Sequence, residues 1–391
     1  MSINPEVLFR PETLTLLDSL EESESESDIV RTISQLRAQG HSQEVVHQAL
    51  EQLRLRRKAA KKFGSFAQHM LFTESGLEQA SRLAIAAHHA GRFQRHNITS
   101  VADLGCGIGA DSMAFAGIGM TVLAIDRDET TAAVASYNLA PFDTVEVRHG
   151  DALAADLSSV EGVWLDPARR DSATRLSDPA DWSPTLDEAF ALARTKPSGI
   201  KLAPGMDRDL IPDDCEAQWV SHKGEVVELV LWWGALSRPG IGRSALLIGD
   251  DRSVEMTGAS DSTDAPVRDL GQYLYEPDGA VIRARLIGDL ARELDGGMLS
   301  ADIAYITSDT KMTTAFAQSF EITDVLPAKV KDLTAWVRTQ DIGTLEIKKR
   351  GVDIDPAALR EKLSPQGSRE ATIILTRYQG KRVALAARRV G

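Results

Sequence analysis

The chain has 391 residues, of which 43% are hydrophobic and 26% are charged, and its formal net charge is -13 at pH 7. This length predicts two or three domains, and two cysteines are too few for a disulfide framework or for paired metal ligands. The most apolar stretch, 226–236, is interrupted by Glu228 and is far shorter than a membrane span. Because the N-terminus also lacks a secretory leader pattern, we expect a cytoplasmic protein without membrane or metal partners.

The charge is unevenly distributed along the chain. Residues 326–391 contain 14 Lys and Arg against 7 Asp and Glu, a net charge of +7, so the other 325 residues carry -20. A second basic run, at 54–62, includes Lys58, Lys61 and Lys62, which could contact phosphate or form a solvated helix face. An acidic body with basic patches can still steer a polyanion to one face of the molecule.

Residues 1–95 predict a helical N-terminal region. The segment 45–63 has no Gly or Pro, and the segment 71–95 carries Thr73 as a plausible N-cap. Between the first helices, the sequence EESESES predicts a polar loop or frayed helix end.

From residue 96 to about 250, short apolar runs alternate with helical segments. This alternation predicts an α/β domain with a doubly wound parallel sheet. The segments 226–236 and 244–248 flank the turn-like sequence SRPGIGR and predict a hairpin at the end of that sheet. The predicted strands are 101–104, 121–125, 145–149 and 162–165, and the predicted helices are 111–117 and 129–139.

Residues 250–268 are polar without periodicity and predict a linker, after which residues 269–391 predict a second, α+β domain. Its last two strands, 371–378 and 382–387, are expected to form a closing hairpin. The other predicted elements are helices at 278–294, 329–339 and 356–363 and strands at 302–307 and 344–349.

The sequence VADLGCGIGADSMAFA predicts a ligand-binding turn between a strand and a helix. Gly105, Gly107 and Gly109 can adopt positive φ and let a ligand approach the backbone, while the first N–H groups of the helix face that ligand. The spacing G-x-G-x-G differs from the G-x-G-x-x-G of dinucleotide enzymes, and the carboxylate of Asp103 would repel a pyrophosphate.

An acidic residue lies at the end of each of three successive predicted strands, in a pattern that suits one ligand. Asp103 suits an ammonium group, Asp126 can accept hydrogen bonds from ribose hydroxyls, and Asp151 could meet an adenine amino group. An ordinary strand–turn–helix with coincidental acids, or a dinucleotide oxidoreductase, remains the alternative. In its four motifs over about residues 100–247, the chain resembles the class I methyltransferases that bind S-adenosylmethionine (SAM), which implies a Rossmann-like fold and SAM as cofactor.

The sequence Asp166-Pro167-Ala168-Arg169-Arg170 follows the fourth predicted strand. It resembles the methyltransferase motif in which Asn or Asp and Pro-Pro precede an aromatic residue or Arg, a motif that implies methylation of nucleobase nitrogens. Asp166 and the carbonyl of Pro167 could accept hydrogen bonds from an amino group, and Arg169 could stack on a base. This sequence departs from the motif at Ala168 and Arg169, which leaves the identity of the target base open. The alternative interpretation of the segment is a turn capped by Asp166, with Arg169 and Arg170 as surface charges. Lys201, after the fifth strand, could contact phosphate or the acceptor, or belong to a Pro-Gly turn.

The C-terminal sequences LEIKKRGVDIDPAALREKL and ATIILTRYQGKRVALA, together with DPARR and KLAPG, resemble a bacterial class I methyltransferase family with a C-terminal THUMP-like domain. THUMP domains bind structured RNA, so the resemblance implies a tRNA or rRNA substrate. We expect Lys348, Lys349 and Arg350 to contact that RNA, because alternation along a strand sends at least one of them to solvent. A methyltransferase for a small molecule or a protein, and a non-catalytic protein that binds SAM and RNA, remain alternatives.

Overall fold

A computed structural model of the protein describes residues 4–20, 26–167, 170–171, 174–175 and 182–390, without the side chains of 26–30, 170–171 and 174–175. The chain divides into a first unit, Met1–Leu202 with Leu231–Ser237, and a second unit, Ala203–Val230 with Arg238–Gly391. Within the described residues, no helix combines the length and the hydrophobicity needed to cross a membrane.

The first unit begins with helices, as predicted. Helix α4 starts where the hydroxyl of Ser42 accepts the Val45 N–H at 3.3 Å, and it ends at Gly64, whose φ of +56° closes the last turn. The predicted helix 71–95 is instead two helices, separated at residues 80–82. The helices in the described part of this region are α1 (Pro5–Leu8), α2 (Pro11–Ser19), α3 (Glu26–Ala38), α4 (Gln43–Phe63), α5 (Glu74–Gln79) and α6 (Leu83–Arg95).

The rest of the first unit is the predicted parallel sheet. Five of its strands have the order β7-β4-β1-β2-β3, and β1, β2 and β4 are almost entirely buried, as expected when helices cover both faces. These elements are β1 (Ser100–Leu104), α7 (Ala110–Gly117), β2 (Thr121–Asp126), α8 (Glu129–Leu139), β3 (Val145–His149), β4 (Gly162–Leu165), the two-residue strands β5 (Arg170–Asp171) and β6 (Thr174–Arg175), α9 (Leu186–Ala193) and β7 (Ser198–Leu202).

The second unit begins with strands that the sequence prediction partly missed. They are β8 (Glu216–His222), β9 (Glu225–Trp233), whose residues 231–233 belong to the first unit, β10 (Arg243–Ile248) and β11 (Ser253–Gly258). The predicted hairpin between 226–236 and 244–248 is wrong, because β10 pairs in parallel with β8 and antiparallel with β11. The intervening loop passes the start of β8, where Arg238 forms ion pairs of 2.6 Å with both Glu216 and Glu255. Strand β11 lies within residues 250–268, which the sequence analysis predicted to be a linker.

The second unit continues as a seven-stranded sheet with the order β13-β14-β12-β15-β18-β17-β16. Helices α12 and α13 cover one face, where Leu333 and Leu359 pack against Leu345, Ile373 and other apolar residues. The opposite face carries a second apolar cluster. The elements are β12 (Tyr273–Pro277), α10 (Gly279–Arg283), α11 (Ile287–Glu293), β13 (Gly297–Ser300), β14 (Ile303–Ser308), β15 (Ala317–Pro327), α12 (Val330–Thr339), β16 (Ile342–Lys349), α13 (Pro356–Leu363), β17 (Arg369–Tyr378) and β18 (Lys381–Arg389).

Candidate functional site

The glycine loop between β1 and α7 has the backbone that the sequence predicts. Gly105, Gly107 and Gly109 have φ values of +84°, +56° and +90°. A Cβ atom at Gly105 would stand 2.4 Å from the carbonyl oxygen of Asp166, so only glycine fits between the loop and the end of β4. A Cβ at Gly109 would meet Leu139 at 2.9 Å. The first glycine is thus required by close packing, as well as by its backbone angle.

A cavity of about 450 Å³ opens beside this loop, within the first unit. Among the residues that the structure describes, its walls carry five carboxylates and two cationic side chains, an excess of negative charge that favours a cationic ligand and repels a pyrophosphate. The size and the charge fit SAM, which carries a sulfonium and an ammonium group. The charged lining residues are Asp111, Asp126, Asp128, Asp151, Asp166, Arg127 and Lys201.

Asp126 and Asp151 both line the cavity, as expected for residues that contact the nucleoside part of a ligand. The carboxylate of Asp126 accepts the Gly107 N–H at 2.9 Å and the Asp128 N–H at 3.0 Å, so it also shapes the loop. Burial raises the pKa of Asp126 above its ordinary value, and these two backbone donors counteract the rise. Asp151 is exposed and accepts the Leu153 N–H at 2.9 Å.

Asp103 lies behind the loop and is not part of the cavity wall. It is buried, and the hydroxyl of Ser112 donates to its carboxyl at 2.5 Å. Burial, reinforced by the negative charge of Asp111, raises the pKa of Asp103 to about 8. The cavity wall includes Asp111, in the first turn of α7, a residue that the sequence analysis did not single out.

Asp166 lines the cavity at the end of β4, and Pro167 is buried beside it. The Nζ of Lys201, at the end of β7, lies 2.5 Å from Asp166 Oδ2. Because adjacent parallel strands end at the same edge, this ion pair brings together two residues that are 35 positions apart. Arg169, the third predicted acceptor residue, lies outside the described residues.

A buried polar network connects this ion pair to the helical region. Lys201 Nζ lies 3.2 Å from Ser81 Oγ and 4.0 Å from Asp111, and Ser81 donates to Asp111 at 2.8 Å. His89 Nδ1 also contacts Asp111 at 2.8 Å, and its ring packs on Trp164 with centroids 4.3 Å apart. Burial opposes ionisation of Asp111, but the hydrogen bond and charge of His89, together with Lys201 and Ser81, bring its pKa below the ordinary value. No local sequence pattern predicts this network, because its members are far apart in the sequence and come together only in the fold.

Residues 73–81 form one wall of the cavity, and Lys62 of α4 holds that wall in place. Its Nζ donates to the carbonyl oxygens of Leu77, Glu78 and Ala80 at 2.7–2.8 Å, which satisfies the end of helix α5. Lys201 approaches the same wall from the other side, 3.4 Å from the Gln79 carbonyl oxygen. Lys62, considered from sequence as a phosphate contact, therefore supports the cavity.

The three residues predicted to contact RNA are in the second unit and differ in their surroundings. Lys348 pairs with Glu276 at 2.6 Å and lies over the Phe320 ring. Arg350 lies over the Tyr305 ring, 3.8 Å from the same Glu276 carboxylate. Lys349 points to the opposite face and is exposed. Among the described residues, no cluster of His, Cys, Asp and Glu side chains could hold a metal ion.

Comparisons with known proteins agree with this architecture. A family model described as THUMP domain-like matches residues 317–389, and a domain of unknown function matches residues 6–59. Two curated relatives, uncharacterised S-adenosylmethionine-dependent methyltransferases from two strains of Mycobacterium tuberculosis, are 32% identical over 335 residues, which cover 83% of this chain and 90% of theirs.

One solved structure aligns over the full length of this chain. It comes from Porphyromonas gingivalis W83 and is described as a candidate methyltransferase. The alignment covers 100% of both chains with a TM-score of 0.75 and a sequence identity of 21%. At this identity the likeness shows the fold, which the two proteins share.

Proposed function

The chain belongs to the S-adenosylmethionine-dependent methyltransferases, within a class I family with a THUMP-like domain, and we propose that it methylates a nucleobase nitrogen in a structured RNA. Bound SAM supplies the methyl group. The proposal concerns the acceptor, its atom and the residues that hold it. Two buried cysteines that form no disulfide with each other fit a protein of the reducing cytoplasm, where tRNA and rRNA are found.

The observation that carries the proposal is the position of Asp166. Its backbone packs directly on Gly105 of the cofactor loop, and its side chain lines the same cavity. A carboxylate at this place can accept a hydrogen bond from an amino group on the acceptor. Methyl transfer depends on in-line positioning more than on a strong base, so holding the amino group is the main task of the protein.

Pro167 and Arg169 complete the proposed acceptor site. The carbonyl oxygen of Pro167 follows directly on Asp166 and would accept the second hydrogen of an amino group. Proline fixes its own φ and so stiffens the chain at this point. An arginine plane can stack on a nucleobase, which is the role we propose for Arg169.

The choice of RNA rests on the second unit. The THUMP domain-like match at 317–389 lies in the segment 326–391 of net charge +7, on a chain that is otherwise strongly acidic. Phosphate contacts by Lys and Arg dominate the affinity of proteins for nucleic acids. We propose that Lys348, Lys349 and Arg350 lie near the RNA, with exposed Lys349 making the direct contact and Glu276 partly neutralising the other two.

Transfer of labelled methyl from SAM to total RNA from a strain lacking the gene tests this function. Asp166→Ala should reduce the rate about 100-fold, because the acceptor loses its positioning group, while SAM affinity changes less than about threefold. Asp187→Ala removes an exposed carboxylate at the start of α9 and should leave both quantities unchanged. An Asp166→Ala enzyme with full activity would remove Asp166 from the acceptor site. Wild-type enzyme that labels a protein or small-molecule fraction of the same cells, and not RNA, would contradict the RNA substrate.

A further inference from the structure

Three neighbouring strands of the second unit place a cation on the same face, at the same end of the sheet. They are Lys349 at the end of β16, Arg377 near the end of β17 and Arg382 at the start of β18. We refer to these three residues as the basic row. Lys349 is paired with Leu375, two residues before Arg377, so the row runs diagonally across the strands. With strands about 4.8 Å apart and a rise of about 3.3 Å per residue, it spans roughly 12 Å.

The pairing of the strands shows that the three side chains share a face. Arg377 lies directly opposite Arg382 in the antiparallel β17–β18 pair. Two residues before Arg377 is Leu375, and two residues before Lys349 is Ile347, and both belong to the apolar cluster under α12 and α13. Because side chains alternate along a strand, Lys349 and Arg377 point to that helix-covered face. All three row residues are exposed, so the helices leave this end of the face open.

The basic row lacks the carboxylate partners that neutralise its neighbours. Among the residues that the structure describes, neither Lys349, Arg377 nor Arg382 has a carboxylate within ion-pair distance; Arg377 donates to the carbonyl oxygen of Gly351 at 3.0 Å. On the opposite face, Lys348 and Arg350 share the carboxylate of Glu276. Of the three cations at 348–350, Lys349 is thus the one without a carboxylate partner in the described part of the chain, and it lies on the helix-covered face of the sheet.

We propose that the basic row is the surface of the second unit that binds consecutive phosphates of the RNA backbone. Like charges directly opposite each other on paired strands destabilise a sheet, and Arg377 and Arg382 are such a pair. Consecutive phosphates would relieve this repulsion by pairing with three cations that have no carboxylate within ion-pair distance among the described residues. The inference rests on the proposed function, since it names the part of the second unit that contacts the substrate. It keeps Lys349 as a direct contact and adds Arg377 and Arg382 from the two neighbouring strands.

Two matched double substitutions test the basic row. One is Arg377→Gln with Arg382→Gln, and the other is Arg388→Gln with Arg389→Gln at the far end of β18. Both remove two exposed positive charges, but Arg388 and Arg389 are paired with Glu321 and Glu346. From Arg382 to Arg388 the strand extends about 20 Å, so the control lies well outside the row.

Filter binding of labelled total RNA from the gene-deficient strain is measured for both variants and wild type between 50 and 200 mM salt. The row variant should bind about tenfold more weakly at low salt, and its slope of log affinity against log salt should be shallower by about 1.5, because two phosphate contacts are lost. The control variant should bind with the wild-type slope, and thermal unfolding should show that both are folded. Equal slopes in wild type and row variant overturn the basic row and leave RNA methylation standing. Failure of the wild-type protein to bind RNA at all overturns the RNA substrate and the basic row together.

Discussion

Lys62 and Lys349 show how differently the two units use a cation. The ammonium of Lys62 is hydrogen-bonded to three carbonyl oxygens of the cavity wall, whereas Lys349 is exposed and has no carboxylate within ion-pair distance in the described part of the chain. Hydrogen bonds and ion pairs from several elements hold the charged side chains of the cavity, whereas the side chains of the basic row are exposed at the ends of their strands. Substitutions in the cavity should therefore change stability and SAM affinity with little dependence on salt, whereas those in the row should change RNA affinity alone and depend strongly on salt.

The largest loss of SAM affinity and stability is expected at Gly105, where the backbone of Asp166 leaves no space for a side chain. Gly105→Ala adds a Cβ that overlaps the Asp166 carbonyl oxygen and forces a left-handed φ on an L-residue. We predict at least about 100-fold weaker SAM binding and a free energy of unfolding lower by roughly 2–4 kcal/mol. Calorimetry and chemical denaturation measure the two quantities.

Gly119→Ala is the control for that prediction. Gly119 has nearly the same φ, +86°, but a Cβ there would have nothing within 4 Å. The Gly119→Ala variant should lose only about 1 kcal/mol of its free energy of unfolding, from backbone strain, and should bind SAM with wild-type affinity. Equal SAM affinity and equal free energy of unfolding in Gly105→Ala and Gly119→Ala would contradict the tight contact between the loop and Asp166.

A smaller effect is expected when the support of the cavity wall is removed. Lys62→Met keeps a long side chain with good helix propensity but leaves three carbonyl oxygens without their donor. We predict SAM binding about tenfold weaker and unfolding easier by about 2 kcal/mol, both independent of salt. Lys61→Met, one residue away on an exposed part of α4, should change neither. Identical behaviour of the two variants would mean that the wall holds without Lys62.

Local patterns in the sequence predicted the glycine loop between β1 and α7 and most of the sheet. The glycines at 105, 107 and 109 and the acidic residues at three strand ends all lie within about 50 residues of each other. Helix 356–363 and the closing hairpin are also found as predicted, with the hairpin strands longer than expected. In these places short-range periodicity and turn residues were sufficient.

What the sequence could not predict depends on contacts between distant segments. Asp103 looks like a ligand residue in the motif, but the fold buries it against Ser112 behind the loop. Lys348 belongs to a basic triplet in the sequence, and its charge is compensated by Glu276, 72 residues away. The same holds for strand β8, which separates the two segments predicted to form a hairpin.

Mass spectrometry of the nucleosides in total RNA from living cells tests most directly whether the protein methylates an RNA base and whether Asp166 holds that base. The gene would be deleted and then restored either as wild type or as Asp166→Ala. We predict that deletion removes a nucleoside with a methyl group on a base nitrogen, that wild type restores it and that Asp166→Ala does not. Identical methylated nucleosides in all three strains would contradict RNA base methylation as the function of this protein.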